Sequence, residues 1–483
     1  MSQSDALAER PSYEELVALV AELRALVAVQ AGEIAVLRAR LDANSSNSSK
    51  PPSSDGYAKP RADSKDKTKR SLRRSSGRKQ GGQDGHRGAR LEPAEIPDRQ
   101  VEHSPERCDG CAGDLADAEV LPGGERRQVF DLPEGPPLEA VEHLAELRRC
   151  CCGCVSVGVF PDAVAAPTQY GPRIRAFGVY LHVFQHLPYE RACRALGDLA
   201  GAQVSTAMLT SWVAAAAAGL TDFDERLREL LVASPIVHFD ETGARIAARL
   251  DWVHSASTGD LTRYTAHRRR GCEAIDDAGV LPGFEGVAVH DGWKPYRSYE
   301  DCEHALCNAH HLRELVAAAE AGHTWPARMS ALLLQANATV EAARAAGEQT
   351  LPAEALDAIV QRYRAILADG AAEHPPVSGK KAKKAKKTKA HNLLLRLDRD
   401  QDQTLRFAHD FRVPYSNNQA EQDIRMIKLQ QKISGCWRTT DGADRFLRIR
   451  SYLSSARKNG IGALDSLNRL AAGQPWLPKA APP

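Results

Sequence analysis

Hydrophobic residues near the start of the chain recur with alternating spacings of four and three. The repeat consists of Leu16, Val20, Leu23, Val27, Gln30, Ile34, Leu37 and Leu41. This is the heptad spacing of a coiled coil, which we predict over residues 12–43. β-branched residues dominate one set of positions and leucine the other, which favours a parallel homodimer or a higher oligomer. A single amphipathic helix that packs on its own protein is the alternative interpretation.

The next segment, residues 44–100, has no hydrophobic period. It opens with the polar tract NSSNSSKPPSSDG and continues, from Lys59 to Arg90, with many Lys, Arg and Gly residues and few acids. Such a composition cannot bury enough apolar surface to fold, so we predict a disordered basic linker. A basic arm can lie along a DNA backbone, where release of counterions favours binding. A solvated linker without a nucleic-acid role is the alternative.

Helical spacing returns over residues 168–231. The pattern is interrupted at Pro188 and near Gly201, and Ser205 is a suitable N-cap for the helix that follows. Two short helices joined by a turn resemble a helix-turn-helix, which would make this a helical DNA-binding region. The second helix has no obvious basic face, so the helix spacing alone carries this prediction.

After residue 231 the hydrophobic period changes to that of strands. The run SPIVHFD ends at Asp240, Gly259-Asp260 separates two half-alternating runs as in a hairpin, and GVAVHD ends at Asp291. A short helix precedes GVAVHD, and HALCNAHHLREL follows as a fifth strand that leads into a helix. This order of elements is typical of a ribonuclease-H-like core, which we predict over residues 232–465 within a multidomain α+β protein.

An alanine-rich helical pattern fills about residues 312–410, so we predict a helical insertion in this core, and a C-terminal tail over 466–483. The insertion contains seven lysines between Lys380 and Lys389. A run of this charge density repels itself in the absence of a polyanion. It is therefore a candidate clamp for DNA phosphates through Lys380, Lys381, Lys383 and Lys384. A solvated tether is the alternative.

Composition narrows the class of protein. The 483 residues suggest three or four parts, and an apolar fraction of 43% is enough for a packed core. The formal net charge of +2 says little about partners. No signal peptide is recognisable at the N-terminus, and the most apolar run is too short to span a bilayer. We expect a soluble, cytoplasmic protein with no membrane partner.

Six of the eleven cysteines lie between residues 108 and 154. This clustering favours a metal site in a reducing compartment over a disulfide framework. Two C-x-x-C pairs at zinc-knuckle spacing predict a small zinc-ribbon-like module over residues 101–165, with Zn²⁺ bound by Cys108, Cys111, Cys151 and Cys154. The second pair has an alternative, Cys150 with Cys152. Reduced structural cysteines without a metal are a further interpretation.

Two acids stand at the ends of strands that the predicted core places side by side, Asp240 and Asp291. Neighbouring carboxylates repel unless a cation lies between them, and hard oxygen ligands suit Mg²⁺ or Mn²⁺. A third acid would complete a two-metal site. The candidate is Glu421, on an amphipathic helix that begins near residue 417. Each aspartate taken alone could equally be an ordinary turn residue.

The helix of Glu421 offers both a functional and a structural interpretation. Glu421, Arg425 and Lys428 are spaced to share one face, so a metal ligand would lie beside cations able to bind phosphates. The pattern Asn418-x-x-Glu421 is also that of a helix cap, in which Glu421 accepts from a main-chain amide. The two aspartates upstream favour the ligand. Lys294 is a further candidate DNA contact.

Four motifs in sequence order, FDETG, HDGWKPY, CNAHHLREL and SNNQAEQDIRMIKLQQKISG, resemble the insertion sequence 66 family of bacterial transposases. The polar leader, the basic arm and the cysteine pairs are similar to it as well. The resemblance implies a ribonuclease-H-like core with an Asp-Asp-Glu triad at Asp240, Asp291 and Glu421. The second cysteine pair departs from the family pattern, which affects the zinc assignment and not the triad.

The resemblance implies a DNA transposase that cuts the ends of an insertion element and joins them to target DNA. Its partner would be double-stranded DNA, together with small companion proteins that such elements often encode, and its location the cytoplasm at the nucleoid. Arg425, Lys428 and Lys294 would contact phosphates. A metal-dependent nuclease on the same core, without transfer, is one alternative. A DNA-binding repressor derived from a transposase is another.

Overall fold

The computed structural model describes residues 154–375 and 387–479 continuously, and in addition residues 20, 22–27, 29–34, 38, 95–96, 107, 109–114, 116–117, 128, 138–149 and 151–152. Several predicted features lie wholly or mostly outside these residues: the basic linker, Leu16, Leu37, Leu41, Cys108, Cys150, Lys380, Lys381, Lys383 and Lys384. The chain divides into two compact units, residues 71–139 and the remainder.

In the smaller unit, the described residues around Cys111 form a turn. An isolated antiparallel bridge between Arg107 and Asp114 closes it. Cys111 itself is exposed. These residues belong to the predicted zinc module. A turn of this kind is compatible with a C-x-x-C pair that binds a metal.

In the larger unit, the described residues between 20 and 38 are helical. The apolar seam positions among them are 47–62% exposed, namely Val20, Leu23, Val27 and Ile34. The helical part of the first prediction is therefore confirmed for these residues. The coiled coil itself stays a prediction.

A short hairpin follows, formed by the antiparallel strands β1 (Leu147–Arg149) and β2 (Val155–Val157). Cys151, Cys152 and Cys154 lie on the connection between the two strands and are exposed. The second cysteine cluster thus lies at a tight reversal of the chain.

Four helices come next: α1 (Pro172–Val179), α2 (Tyr189–Ala200), α3 (Thr206–Ala218) and α4 (Thr221–Val232), with a π-helical turn at Tyr180–Phe184. The predicted interruptions are confirmed. Pro188 immediately precedes α2, and Gly201 ends it with φ of +67°. The hydroxyl of Ser205 accepts the N–H of Met208 at 3.1 Å, so Ser205 caps α3 as predicted.

A five-stranded mixed sheet forms the centre of the larger unit. Its strands are β3 (Ile236–Ile246), β4 (Arg249–Ser257), β5 (Thr262–His267), β6 (Val287–His290) and β7 (Glu303–Leu306), in the spatial order β5-β4-β3-β6-β7. Strands β3, β4 and β5 are antiparallel neighbours, whereas β3, β6 and β7 run parallel. Helix α5 (Cys272–Ala278) lies between β5 and β6 in the chain.

Strand β3 does not end at Asp240, as the apolar run had suggested. It continues to Ile246 because its antiparallel pairing with β4 persists to the Ile246–Arg249 pair. The connecting residues Ala247 and Ala248 have φ of +48° and +62°. Only the pairing with β6, from Ile236 to His238, stops before the acid.

The alanine-rich region is helical, in agreement with its spacing. It comprises α6 (Asn308–Glu320), α7 (Trp325–Ala345), α8 (Ala353–Ala372), α9 (Lys389–Arg399) and α10 (Gln401–His409). These helices bury a hydrophobic core of their own, around Trp325, Leu333 and Tyr363. A separate core explains how a long insertion can be accommodated between strand β7 and the helix that begins at Asn418.

Three helices complete the chain: α11 (Asn418–Ser434), α12 (Thr440–Lys458) and α13 (Ala463–Ala471). Leu467 and Leu470 of α13 are buried, so the tail predicted from residue 466 begins within a packed helix. None of the described helices has the length and apolar character needed to cross a bilayer. The described fold is mixed α/β.

Candidate active site

The two predicted aspartates lie at the carboxyl ends of the paired segments of the parallel strands β3 and β6. His238 of β3 pairs with Val289 of β6. Asp240 and Asp291 each follow this pair by two residues, so the register continued along both strands sets the acids opposite each other. The carboxyl ends of adjacent parallel strands therefore bring them together, as the sequence predicts.

Asp240 is half-buried and electrostatically strained. Burial, and after it the carboxylates of Glu241, Asp291 and Glu421, raise its pKa to about 8. Its Oδ1 accepts the main-chain N–H of Glu241 at 2.9 Å, which opposes the rise. No Lys, Arg or His among the described residues forms an ion pair with it.

Asp291 is held by the turn that follows β6. Its Oδ1 accepts the N–H of Trp293 at 2.8 Å. Gly292 between them has φ of +86°, a conformation that strains any residue with a Cβ. The positive φ therefore explains the glycine at this position. A lack of space does not, because a Cβ on Gly292 would have its nearest heavy atom 3.5 Å away.

Behind this turn, the buried His290 and the half-buried His304 form a chain of hydrogen bonds. The N–H of Gly292 donates to Nδ1 of His290 at 3.0 Å, so Nε2 of His290 carries the proton that faces Nδ1 of His304 at 3.0 Å. Nε2 of His304 in turn donates to the carbonyl of Tyr299 at 2.9 Å. Burial lowers the pKa of His290 to about 3, which keeps both rings neutral and the turn fixed.

Glu421 lies in the first turn of α11, and Asn417 anchors the start of that helix. The Asn417 side chain donates to the carbonyl of Phe239 at 2.8 Å and contacts Nδ1 of His238 at 2.8 Å. Its main-chain N–H points to Sγ of Cys307 at 3.1 Å. One residue thus ties the helix to β3, next to Asp240, and to the end of β7.

The helix-cap interpretation of Glu421 is not what the structure shows. Asn418 is the first residue of α11, and the N-cap residue Asn417 makes no side-chain capping bond. The Glu421 carboxylate instead lies 3.5 Å from the Arg313 guanidinium and 3.6 Å from Nδ1 of His310. Its side chain is therefore directed toward α6 and the acid cluster.

One acid in the cluster was missed by sequence reasoning. Glu241 has a side chain only 1% exposed; its Oε1 pairs with Arg270 at 2.6 Å and its Oε2 accepts from the Tyr296 hydroxyl at 2.6 Å. The Arg270 guanidinium lies over the rings of Trp252, at 4.7 Å, and Trp293, at 4.1 Å. The two rings hold the Arg270 guanidinium in place, and Arg270 in turn neutralises the charge of Glu241.

A second missed group surrounds Glu421. Sγ of Cys307, a ring nitrogen of His310 and a carboxylate oxygen of Glu421 all lie within 4.8 Å of one another. It is the one cluster of this kind among the described residues, and it does not include Asp240 or Asp291. The signal that could have found it is the C-x-x-H spacing within CNAHH.

The predicted DNA contacts differ in their surroundings. Lys294, in a short 3₁₀ turn after Trp293, and Arg425, on α11, are both exposed. Lys428 is exposed as well, but its Nζ donates to the carbonyl of Gly243 at 2.7 Å, and partial desolvation lowers its pKa. Lys428 is thus engaged with β3, while the other two remain open to a ligand. The zinc ligands Cys111, Cys151 and Cys154 stay predictions.

Two family models match the chain. One, described as Transposase IS66 family, matches residues 167–445. The other, described as Family of unknown function (DUF6444), matches residues 4–92. No curated protein is similar enough to count as a match. The first match covers more than half of the chain and includes both aspartates, the Cys307 cluster and Glu421.

Proposed function

Because the chain belongs to the IS66 transposase family, we propose that it is an enzyme that binds the ends of an insertion element, cleaves DNA strands there and joins them to target DNA. Asp240, Asp291 and Glu421 are the proposed catalytic triad. The proposal rests mainly on the arrangement of the three acids. The register of two parallel strands supports placing the aspartates opposite each other. Glu421 is close enough to raise the pKa of Asp240, and its helix is hydrogen-bonded to the strand of Asp240.

We further propose that the sheet and its helices form a ribonuclease-H-like core. Three antiparallel strands followed by two parallel strands, in the order β5-β4-β3-β6-β7, support this assignment. So does the acid at the end of the parallel pairing on the central strand. The helical insertion between β7 and α11 then becomes a family-specific addition to the core.

The residues present fit a divalent cation. Asp240, Asp291 and Glu421 offer hard oxygen ligands, which suit Mg²⁺ or Mn²⁺. Burial, together with the nearby carboxylates of Glu241, Asp291 and Glu421, raises the pKa of Asp240, and a bound cation would offset both effects. Asp240, Asp291 and Glu421 would hold the cation, or two cations between them, through these oxygens. When bound, such ions activate the attacking oxygen and stabilise the leaving oxygen.

The chain itself supplies positioning for the reaction. Asp240 lies on β3, Asp291 directly follows the paired strand β6, and Asn417 ties the helix of Glu421 to β3, which supports a ligand set that is positioned before DNA binds. Arg270 neutralises Glu241 and keeps that acid out of competition for the cation. Lys294 and Arg425 are exposed near the acids and would contact phosphates.

The proposed chemistry needs no covalent intermediate with the enzyme. A water oxygen first attacks a phosphorus at the element end, and the bond to the 3′ oxygen breaks to release a 3′-hydroxyl. That hydroxyl then attacks a phosphodiester of the target in line and displaces its 3′ oxygen. One phosphodiester is exchanged for another in the second step, so no external energy source is required.

Other parts of the chain receive supporting roles in the proposal. The N-terminal helix would form a coiled coil between copies, the cysteine pairs would bind structural Zn²⁺, and the four-helix region would contact element ends. The lysine run between residues 380 and 389 would clamp DNA phosphates. Each of these roles rests on the sequence pattern and on the transposase family.

The test is a joining assay with labelled element ends, purified protein and Mn²⁺ or Mg²⁺, against the same reaction in EDTA. We expect metal-dependent nicks at the ends and joined product. Nicked donor that is never joined would favour a nuclease. Binding without any cleavage, in the presence of either metal, would favour a repressor and contradict the proposal.

A further inference from the structure

We propose that Cys307, His310 and Glu421 form a binding site for one divalent transition-metal ion, best matched by Zn²⁺. The site is separate from the proposed Mg²⁺ ligands except for Glu421, which both would use. It stands on the geometry of these three side chains and does not depend on whether the protein joins DNA.

The first observation is the convergence of three different donors from two helices and a strand end. Cys307 directly follows β7 and is the N-cap residue of α6, His310 lies in the first turn of α6, and Glu421 lies in the first turn of α11. Their ligand atoms lie within 4.8 Å of one another. Tetrahedral bonds of about 2.0–2.3 Å to one ion would separate such atoms by roughly 3.3–3.6 Å, so a small adjustment closes the site.

The second observation is an unsatisfied imidazole nitrogen. Nδ1 of His310 is buried and has no hydrogen-bond partner among the described residues. It lies 3.6 Å from Oε1 of Glu421, which is too long for a hydrogen bond but close to the separation of two ligands on one ion. A buried polar atom without a partner is costly, and a metal bond removes that cost.

The third observation concerns the thiol. Cys307 is 1% exposed, and the main-chain N–H of Asn417 donates to its Sγ at 3.1 Å. A metal ion would displace the thiol proton, and this amide would then stabilise the bound sulfur. Mixed sulfur, nitrogen and oxygen donors are typical of Zn²⁺ and not of Mg²⁺.

The charge next to the site opposes metal binding and offers a control. The Arg313 guanidinium lies 3.5 Å from Glu421 Oε1 and competes with a cation for that oxygen. Arg313 is not one of the three ligands. Its removal should therefore tighten metal binding, whereas removal of a ligand should weaken it.

The experiment is a titration of the reduced, metal-free full chain with Co²⁺ alone, followed by absorption spectroscopy and displacement by Zn²⁺. We expect an absorption band from thiolate-to-Co²⁺ charge transfer in the wild-type protein. The Cys307→Ser variant should show a weaker band and should bind one Co²⁺ ion fewer per chain. The N-terminal cysteines contribute equally to both spectra, so the difference spectrum isolates the site. His310→Gln should weaken the corresponding affinity by at least about tenfold, and Arg313→Gln should strengthen it.

Cys302→Ser is the matched control, because Cys302 is a buried thiol just before β7 that lies outside the cluster. It should leave the spectrum unchanged. Circular dichroism checks each fold; if Cys307→Ser is unfolded, His310→Gln carries the decision. A difference spectrum without a thiolate band, or unchanged Co²⁺ affinity in folded His310→Gln, overturns the proposal. If the wild-type protein binds Co²⁺ at this site but does not join DNA, the result counts against the transposase proposal and not against the metal site.

Discussion

The side-chain amide of Asn417 donates to the carbonyl of Phe239 at 2.8 Å, one residue before Asp240. This bond fixes the distance between the helix that carries Glu421 and the strand that carries Asp240. Asn417 does not carry a reacting group, so we regard it as a positioning residue.

We predict that Asn417→Ala lowers strand joining by about 10²-fold, because a shift of ~1 Å in a ligand is enough for such a loss. It should also destabilise the fold by about 2–4 kcal/mol, since it leaves the Phe239 carbonyl and His238 without their partner. The readouts are joining rate against Mn²⁺ concentration and urea unfolding. Loss of stability with an unchanged Mn²⁺ dependence would show a purely structural role.

The Asp291→Asn variant tests the proposed metal ligand most directly. The amide can still accept the N–H of Trp293 through its oxygen, so the turn should survive. We expect DNA binding to stay within about twofold, while cleavage and joining fall by at least ~10³-fold because a charged ligand is lost. An Asp291→Asn protein that still cleaves element ends in Mg²⁺ would contradict the assignment. Asp260→Asn, in the exposed hairpin turn, is the control.

Asp240 should make the metal-free protein less stable as pH rises. Its pKa is 3.8 in the unfolded chain and about 8 in the folded protein. Between these values the folded state keeps a proton that the unfolded state has released, so wild-type stability falls with rising pH, by at most ~1.4 kcal/mol per pH unit, and levels off above pH 8.

Asp240→Asn removes this dependence. In EDTA we expect the variant to be more stable than wild type at pH 7.5 and nearly equal to it at pH 4.5, as measured by urea unfolding. Added Mn²⁺ should stabilise wild type and have little effect on the variant. A stability difference of the same size at both pH values would contradict the electrostatic explanation.

The pair Glu241–Arg270 predicts a rescue experiment. Arg270→Ala leaves the nearly fully buried Glu241 carboxylate without its cation and should cost about 2–3 kcal/mol, less than a fully buried pair because Arg270 is 36% exposed. The double variant Glu241→Gln with Arg270→Ala should recover at least half of that loss. If the double variant is as unstable as Arg270→Ala, the loss comes from the two tryptophan contacts instead.

Arg425 and Lys428 form a matched pair for DNA binding. We expect Arg425→Ala to reduce the slope of log affinity against log salt by about 1, because an exposed cation would release one counterion on binding. Lys428→Ala should change the slope less, since its Nζ donates to Gly243. Filter binding or anisotropy at several salt concentrations measures both. Equal slopes for the two variants would show that Lys428 leaves β3 to reach DNA.

Much of the sheet was accessible to sequence reasoning because its signals are local. Apolar runs that end in acids identified β3 and β6, and the Gly259-Asp260 turn identified the β4–β5 hairpin. The full length of β3 was not accessible, because its last residues are neither apolar nor alternating. The turn at Ala247 and Ala248 was hidden as well, since both residues take positive φ without a glycine or asparagine to signal it.

The parts of the site that were missed depend on distant contacts. Side-chain alternation along a strand suggests that Glu241 turns away from Asp240, and only the fold shows Arg270 and Tyr296 enclosing it. The neighbourhood of Cys307 and Glu421 likewise arises because side chains at the starts of α6 and α11, which are far apart in the sequence, meet in the fold. Sequence spacing gives the C-x-x-H pair but not the third ligand.

Helix α12 and helix α10 have a consequence for how copies of this protein can assemble. Ser451 and Ser455 of α12 accept the N–H groups of Tyr264 and Thr262, which are edge donors of β5. Arg406 of α10 donates to the carbonyl of His304 on the opposite edge strand, β7. Both borders of the sheet are thus closed to strand addition. If copies of the proposed transposase associate, they would do so through surfaces other than these two edge strands, and no aggregation-prone edge would be exposed when they separate.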